Sequence, residues 1–327
     1  MLSLLGSYSI HSLNKIDTKD VLKKNNQDIN AIRKTTGIKK ISTFQSKIEI
    51  KTLFNNLLKI AIKNSGTSPS AILVCTQTPD EAMPAISTQI VYSNKLNKVH
   101  SCYDINSGCT GFVDLSRLAH MESLINSESI VYCFSGDINS KIVDHNEYAL
   151  SCVFGDLLNI SIFRYSNQVI SNKKLDSNLL NYHVSQKHSD CIKREINGTL
   201  IMKGLEVMSF VSDTVIPSLL KYLTNINNES ISEYSLILHQ ANEFIINFIN
   251  KKIKKSYPKL KLYDFCMQDI GNTGSSTIPF TIQNYYLQNK IKGKVIICGY
   301  GVGMSVSINT IYIPENISEN NIIIRQI

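Results

Sequence analysis

The stretch DINSGCTGF at residues 104–112 shares a G-x-T-G tetrad with GNTGSSTIP at residues 271–279. The tetrads begin at 108 and 271, and 271 − 108 = 163 is half of the 327-residue chain. Their surroundings repeat as well. An apolar run precedes each tetrad, AILVC ending at Cys75 and SLILH ending at His239. The distances to the tetrad's second residue, 109 − 75 = 34 and 272 − 239 = 33, agree within one. A helix-like stretch follows each, DLSRLAHMESLI at 114–125 and TIPFTIQNYYLQ at 277–288, and then a second apolar strand, SIVYCFSG at 129–136 and KVIICGYG at 294–301. Recurrence at a fixed offset marks duplicated structural units. Strands alternating with helices give βαβ units and parallel pairing. The chain therefore reads as two α/β halves about a pseudo-twofold, residues 1–165 and 166–327. The polar stretch at 166–190 reads as the connection between them, and KNNQDINAIRK at 24–34 as a solvated helix or loop.

Composition narrows the function classes. With 43% hydrophobic and 18% charged residues, and no apolar run near the roughly 20 residues that span a bilayer, no membrane span is expected. The opening MLSLLGSYSIHS carries no basic leader and reads as a first strand, which leads to the expectation of a cytoplasmic protein. The eight cysteines, at 75, 102, 109, 133, 152, 191, 266 and 298, form no C-x-x-C pair and no metal-ligand spacing, so neither a disulfide framework nor a metal site is expected. The net charge of +8 suits an acidic partner. The lysines are dispersed, without an arginine cluster or base-stacking aromatic motif, and nucleic acid is not expected.

Ligands of a parallel α/β sheet collect at the carboxyl ends of its strands, where the next helix offers free N–H groups. Three chemistry-bearing residues fall at such ends. Cys109 stands between Gly108 and Thr110-Gly111, a tight turn with the sulfur at a helix start, where the thiol pKa is expected to fall and favour the attacking thiolate. His239 ends an apolar run and precedes the helical pattern EFIINFINKKIKK. Taken alone, a strand-end histidine reads as a core or rim residue. The other six histidines read as loop, helix or connection residues. Asn272 occupies the position of the second half equivalent to Cys109. A thiolate, two side chains able to stabilise an enolate or oxyanion, and backbone N–H groups from the turn Gly299-Tyr300-Gly301-Val302-Gly303 are what thioester chemistry needs.

At these residues the chain resembles ketoacyl-acyl-carrier-protein synthase III and its relatives in the thiolase superfamily. The ordered motifs run almost end to end: GSYSI and TTGIKK early, TQTPDEAMPAIS at 76–87, DINSGCTGF, MKGLEVMSF at 202–210, LHQANEFI, GNTGSSTIP and GYGVGMS. The resemblance implies an α/β fold, the thiolase-like αβαβα five-layer sandwich of two duplicated βαβ-rich halves, assembled as a homodimer. It gives Cys109, His239 and Asn272 the triad roles, with the amides of Cys109 and Val302 as the oxyanion hole. Cys109 would accept an acyl group from a thioester, acyl-CoA or acyl-carrier protein being a substrate and no cofactor bound permanently. His239 and Asn272 would then hold a malonyl thioester while it loses CO2 and attacks the acyl-enzyme, in fatty-acid initiation or for a specialised product. Met83 falls where the family reaches into its partner's acyl pocket, and Met202, Gly204 and Met208 fall on the channel segment. Lys251 and Lys252 retain a basic pair for carrier docking.

The chain also departs from the family. Ala31 stands where a tryptophan stacks on the CoA adenine, Phe244 stands at a carrier-docking arginine, and a glycine-rich pattern survives only as Gly155-Asp156 followed by Leu157-Leu158-Asn159. Two other readings use the same residues. One is an acyltransferase moving the Cys109-bound group to a hydroxyl or amine, and the other is a non-catalytic partner of an active homologue in a heterodimer.

Overall fold

The computed structural model describes residues 1–45, 47–166, 181–195, 198–227 and 229–327. Residues 167–180 of the polar connection lie outside the described residues. The strands β1 (Leu2–His11), β2 (Ala71–Cys75), β3 (Ser101–Ile105), β4 (Ile130–Asp137) and β5 (Leu157–Tyr165) pair in the order β1-β5-β4-β2-β3. The next five, β6 (Tyr182–Val184), β7 (Tyr234–Leu238), β8 (Lys261–Leu262), β9 (Gly293–Gly301) and β10 (Ser305–Ile313), pair as β6-β10-β9-β7-β8. Each strand of the first set thus has its counterpart five numbers later, in the same place. The directions match too: β2 is parallel to β3 and β4, and β7 to β8 and β9, while β4–β5 and β9–β10 are antiparallel, as are β1–β5 and β6–β10. Parallel pairing, expected throughout, therefore stops at β5 and β10; three residues join β9 to β10, whereas residues 138–156 connect β4 to β5. The sets join where β1 meets β10 at Ser3 and Tyr312. A last strand, β11 (Ile322–Gln326), lies parallel to the far end of β1.

The alternation of side chains along each central strand sorts them into different cores. Ala71, Leu73 and Cys75 of β2 enter the middle core, whereas Ile72 and Val74 enter the outer core of the first half. In β9, Val295 and Ile297 enter the same middle core, and Ile296 and Cys298 the outer core of the second half. Both faces of these strands are covered, which is why they read as unbroken apolar runs.

Helices complete the layers: α1 (Ile50–Ser65), α2 (Gly111–Ile125), α3 (Ile216–Leu223), α4 (Glu243–Ser256) and α5 (Thr277–Leu287). In α1 the buried Ile50, Leu53, Phe54, Leu57, Leu58 and Ala61 follow the three-and-four spacing of one helical face and fill the first outer core. Leu219 of α3 and Ile246, Ile249 and Ile253 of α4 fill the opposite one. Phe112, Val113, Leu115 and Ala119 of α2 and Ile278 and Ile282 of α5 lie in the middle core, between strands of both sets. The order is helix, sheet, paired helices, sheet, helix, the αβαβα layering expected. The first turns of α2 and α5 are buried, which brings their N-termini, with Cys109 and Asn272 before them, toward the centre of the molecule. Among the described residues no helix is long and apolar enough to cross a membrane.

Candidate active site

Cys109 lies in the 3-10 turn Gly108–Thr110 that runs directly into α2. Thr110 fastens this turn: its hydroxyl donates to Asp114 Oδ2 at 2.8 Å, while Asp114 Oδ1 accepts from Ser307 of β10 at 2.6 Å. The helix that follows Cys109 is thereby tied to β10. The end of β9 closes over the sulfur. A β-carbon on Gly301 would stand 2.8 Å from Cys109 Cβ and 2.9 Å from Sγ, so no side chain fits there.

The thiol pKa, expected to fall at a helix start, instead rises. Burial pushes it up to about 11, with Asp137 adding to the rise, while hydrogen bonding from the backbone N–H groups of Val302 and of Cys109 itself pulls the other way. Desolvation of the anion outweighs the turn, and at neutral pH Cys109 rests as a thiol.

His239 follows the last residue of β7 and continues its ladder, its N–H donating to the Cys298 carbonyl at 2.8 Å. The ring is held on two sides. Nδ1 is 2.7 Å from Thr277 Oγ1, at the first turn of α5, and the Tyr300 ring stands edge-on at 5.4 Å between centroids, its hydroxyl donating to the His239 carbonyl at 2.9 Å. Burial lowers the His239 pKa to about 3, against the raising effect of the Gly274 carbonyl. The imidazole is therefore neutral. Its second nitrogen is left for a ligand, as a base or as a donor according to tautomer.

Asn272 is held by its backbone. Its N–H donates to the Val153 carbonyl at 2.7 Å, and its carbonyl accepts from the Gly155 N–H at 2.9 Å. A β-carbon on Gly155 would meet the Ile270 carbonyl oxygen at 1.9 Å, so the close packing that the glycine pattern serves survives at this residue. Asn272 Oδ1 accepts from the Gly274 N–H at 3.0 Å, which orients Nδ2 away from the turn as a donor.

Cys109, His239, Asn272, Met202, Gly204 and Val302 line one cavity of about 100 Å³. Other expected positions lie elsewhere. Met208 packs half-buried on the second outer core. Met83 is 81% exposed, and Lys251 and Lys252 are exposed on α4. Ala31 and Phe244 are exposed as well, Ala31 in the helix Ile29–Thr36 and Phe244 near the start of α4.

The structure adds groups that the sequence did not single out. Asp137, at the end of β4, is buried with its carboxyl pushed up to about 6 by burial, and accepts from the Gln77 N–H and the Thr76 hydroxyl. An acid closing an otherwise apolar strand was its one sequence signal. Thr277 and Tyr300 carried none. His11 ends β1 as a buried residue rather than in a loop or helix.

Comparison with known proteins agrees with this architecture. The model of the family described as 3-Oxoacyl-[acyl-carrier-protein (ACP)] synthase III C terminal matches residues 224–313. The beta-ketoacyl-[acyl-carrier-protein] synthase III of Clostridium novyi (strain NT) is 28% identical over 314 residues, covering 89% of this chain and 93% of that one. The chain is similar to ketoacyl-acyl-carrier-protein synthase III along most of its length. Among solved structures, the 3-oxoacyl-(acyl-carrier protein) synthase of Burkholderia xenovorans LB400 superposes with a TM-score of 0.83 at 19% identity, over 100% of this chain and 97% of that one. The 3-oxoacyl-(acyl carrier protein) synthase III of Pseudomonas aeruginosa PAO1 does so at 0.81 and 18%, over 96% and 98%. At such identities the superpositions establish the shared fold of the synthase III-like chain.

Proposed function

We propose that this chain takes an acyl group from a thioester onto Cys109 and condenses it with a malonyl thioester, releasing CO2. The observation that carries this reading is the convergence of Cys109, His239 and Asn272, from three separate elements, on one cavity. The neutral His239 receives the thiol proton as Cys109 attacks the thioester carbonyl, and returns it to the departing thiol. The amides of Cys109 and Val302 face the oxygen that becomes negative. In the second step the malonyl carboxylate leaves as CO2, and Asn272 Nδ2 and His239, now the tautomer with its proton on the cavity-facing nitrogen, hold the enolate oxygen. The new carbanion attacks the acyl-enzyme carbonyl, and Cys109 departs as a thiolate that takes one proton from water.

Acyl-CoA or an acyl-carrier protein supplies the acyl group. Met202 and Gly204 belong to the entry channel, Lys251 and Lys252 to the carrier's landing surface, and two copies form a homodimer in the cytoplasm. Relatives named as synthase III enzymes along most of the chain support this assignment. The test is product mass after mixing the protein with an acyl-CoA and malonyl-carrier protein. The expected product is the acyl group extended by the malonyl unit less CO2. Transfer to a hydroxyl or amine without extension would support the simple acyltransferase. Unchanged activity of a mixed dimer after Cys109→Ala would support the non-catalytic partner.

A further inference from the structure

Thr277 opens α5 and is fully buried. Its hydroxyl oxygen stands among three partners. His239 Nδ1 lies 2.7 Å away and the Gly274 carbonyl oxygen 3.1 Å, and the Gln240 N–H donates to it at 3.3 Å. A hydroxyl has one proton and two lone pairs. Gln240 takes one lone pair, so two arrangements remain. With the hydroxyl proton on the Gly274 carbonyl, the second lone pair accepts from an Nδ1–H, and the cavity-facing Nε2 of His239 is bare. With the hydroxyl proton on Nδ1, the ring carries its own hydrogen on Nε2. The Gly274 carbonyl is not stranded in the second case, because it also accepts the Thr277 backbone N–H. Neither arrangement leaves a polar atom of this group without a partner, so neither tautomer carries the cost of a lost buried bond.

The two steps proposed for the site ask for both forms. Taking the Cys109 proton needs a bare Nε2, and holding the enolate oxygen needs an Nε2–H. The bond made at Nδ1 decides which form is present. A carboxylate or a backbone carbonyl there can only accept and would lock the ring with its proton on Nδ1. A backbone N–H can only donate and would lock the opposite form. A hydroxyl does either. The doubly protonated ring is not a resting form, since burial lowers the His239 pKa to about 3. Tyr300, the other side chain against the ring, spends its hydroxyl on the His239 backbone carbonyl at 2.9 Å and leaves Nδ1 to Thr277.

We propose that Thr277 is a positioning residue that lets His239 change tautomer between the two half-reactions, its hydroxyl accepting from Nδ1–H during acylation and donating to a bare Nδ1 during decarboxylation. The inference rests on the two-step reading above and deepens the part His239 plays in it. After acylation the ring has returned the Cys109 proton to the departing thiol and holds its hydrogen on Nδ1. Before decarboxylation it takes one proton from water at Nε2 and gives one up at Nδ1, so the exchange is neutral overall. The Thr277 hydroxyl turns from the Gly274 carbonyl to Nδ1 and keeps its own proton.

The experiment measures the half-reactions separately in wild type, Thr277→Val and Thr277→Ser. Acylation is the rate of mass gain from an acyl-CoA that loads wild type, and decarboxylation is the CO2 released from malonyl-carrier protein by the acylated enzyme. Valine keeps the shape of threonine without the hydroxyl. The Gly274 carbonyl, whose approach raises the His239 pKa, then holds the ring with its proton on Nδ1. Thr277→Val is therefore expected to lower the ratio of decarboxylation to acylation about 10²-fold, the loss of one donor to the oxyanion, and Thr277→Ser to restore it. Heteronuclear NMR of protein labelled at the histidine nitrogens is expected to show His239 in both tautomers in wild type and in the Nδ1–H form alone in Thr277→Val. Equal loss in both half-reactions, loss in neither, or a serine variant that behaves as the valine one overturns the inference and leaves the two-step reading standing. Wild type that gains no acyl mass and releases no CO2 overturns both. Where the valine variant fails to fold, the wild-type spectrum decides: both tautomers support the inference, and a single tautomer before and after acylation overturns it.

Discussion

Gly301 and Cys109 are in contact so close that a β-carbon on the glycine would stand 2.9 Å from the sulfur. Gly301 also holds φ at 149°, a value that L side chains rarely adopt. Gly301→Ala is therefore expected to displace Cys109 or the loop that carries the Val302 amide. The predicted outcome is a loss of about 10²-fold or more in the rate of Cys109 acylation, with the circular dichroism spectrum retained. Stopped-flow or quenched acylation kinetics read it directly.

His239 and Asp137 make stability respond to pH in opposite senses. Burial holds the folded His239 at about 3, below its ordinary 6.5, so the unfolded chain binds a proton that the folded one refuses. That contribution is present above 6.5 and is lost as pH falls toward 3. Asp137 is raised from 3.8 to about 6, so its contribution is present below 3.8 and is lost as pH rises through 6. Asp137→Asn is expected to raise Tm relative to wild type at pH 7 and to lose that advantage at pH 4. His239→Asn is expected to flatten the decline between pH 6.5 and 4. Shifts of at least about 2 °C, the size that roughly 1 kcal/mol gives in a large domain, are expected in thermal melts across this range.

The repeat at offset 163 made much of this site legible, because strand ends and glycine turns are local signals. The helix expected at 114–125 lies within α2, the one expected at 277–288 outruns α5 by one residue, and the strands expected at 129–136 and 294–301 correspond to β4 and β9. What the sequence withheld depends on the assembled fold. Asn139 in the run DINS reads as an ordinary polar turn, and only the approach of Gly155 places its amide in the cavity wall. The sign of the Cys109 pKa shift was misjudged for the same reason. A helix start is visible in sequence, whereas the desolvation that outweighs it comes from elements far along the chain. The pairing of β11 with β1 likewise joins residues more than 300 apart, beyond any local pattern.

The strand β3 ends the sheet order, and Tyr103 on it is exposed, as are Tyr92 and Met83 nearby in the chain. An open edge with large apolar side chains is suited to pairing with a second copy. Sedimentation of the 36.7 kDa chain at twice its mass is expected, with Tyr103→Asp shifted toward the monomer. A wild type that sediments as a monomer at micromolar concentration would contradict the homodimer.

Lys251 and Lys252 extend from α4, whose start carries the exposed Phe244. Reversing both charges, Lys251→Glu with Lys252→Glu, is expected to raise KM for malonyl-carrier protein about tenfold at low ionic strength and less at high salt. Acylation by a small acyl-CoA should change far less. Steady-state kinetics with the two substrate forms distinguish a carrier surface from a general loss of activity.

The central claim is that Cys109 carries the acyl group. Intact-protein mass spectrometry, with wild type and Cys109→Ala exposed to the same panel of acyl-CoA and acyl-carrier donors, tests it most directly. The account predicts one acyl mass added to wild type, mapped to the peptide containing Cys109, and none added to the Ala variant. An unmodified wild type with every donor, or the same added mass on both proteins, would contradict it.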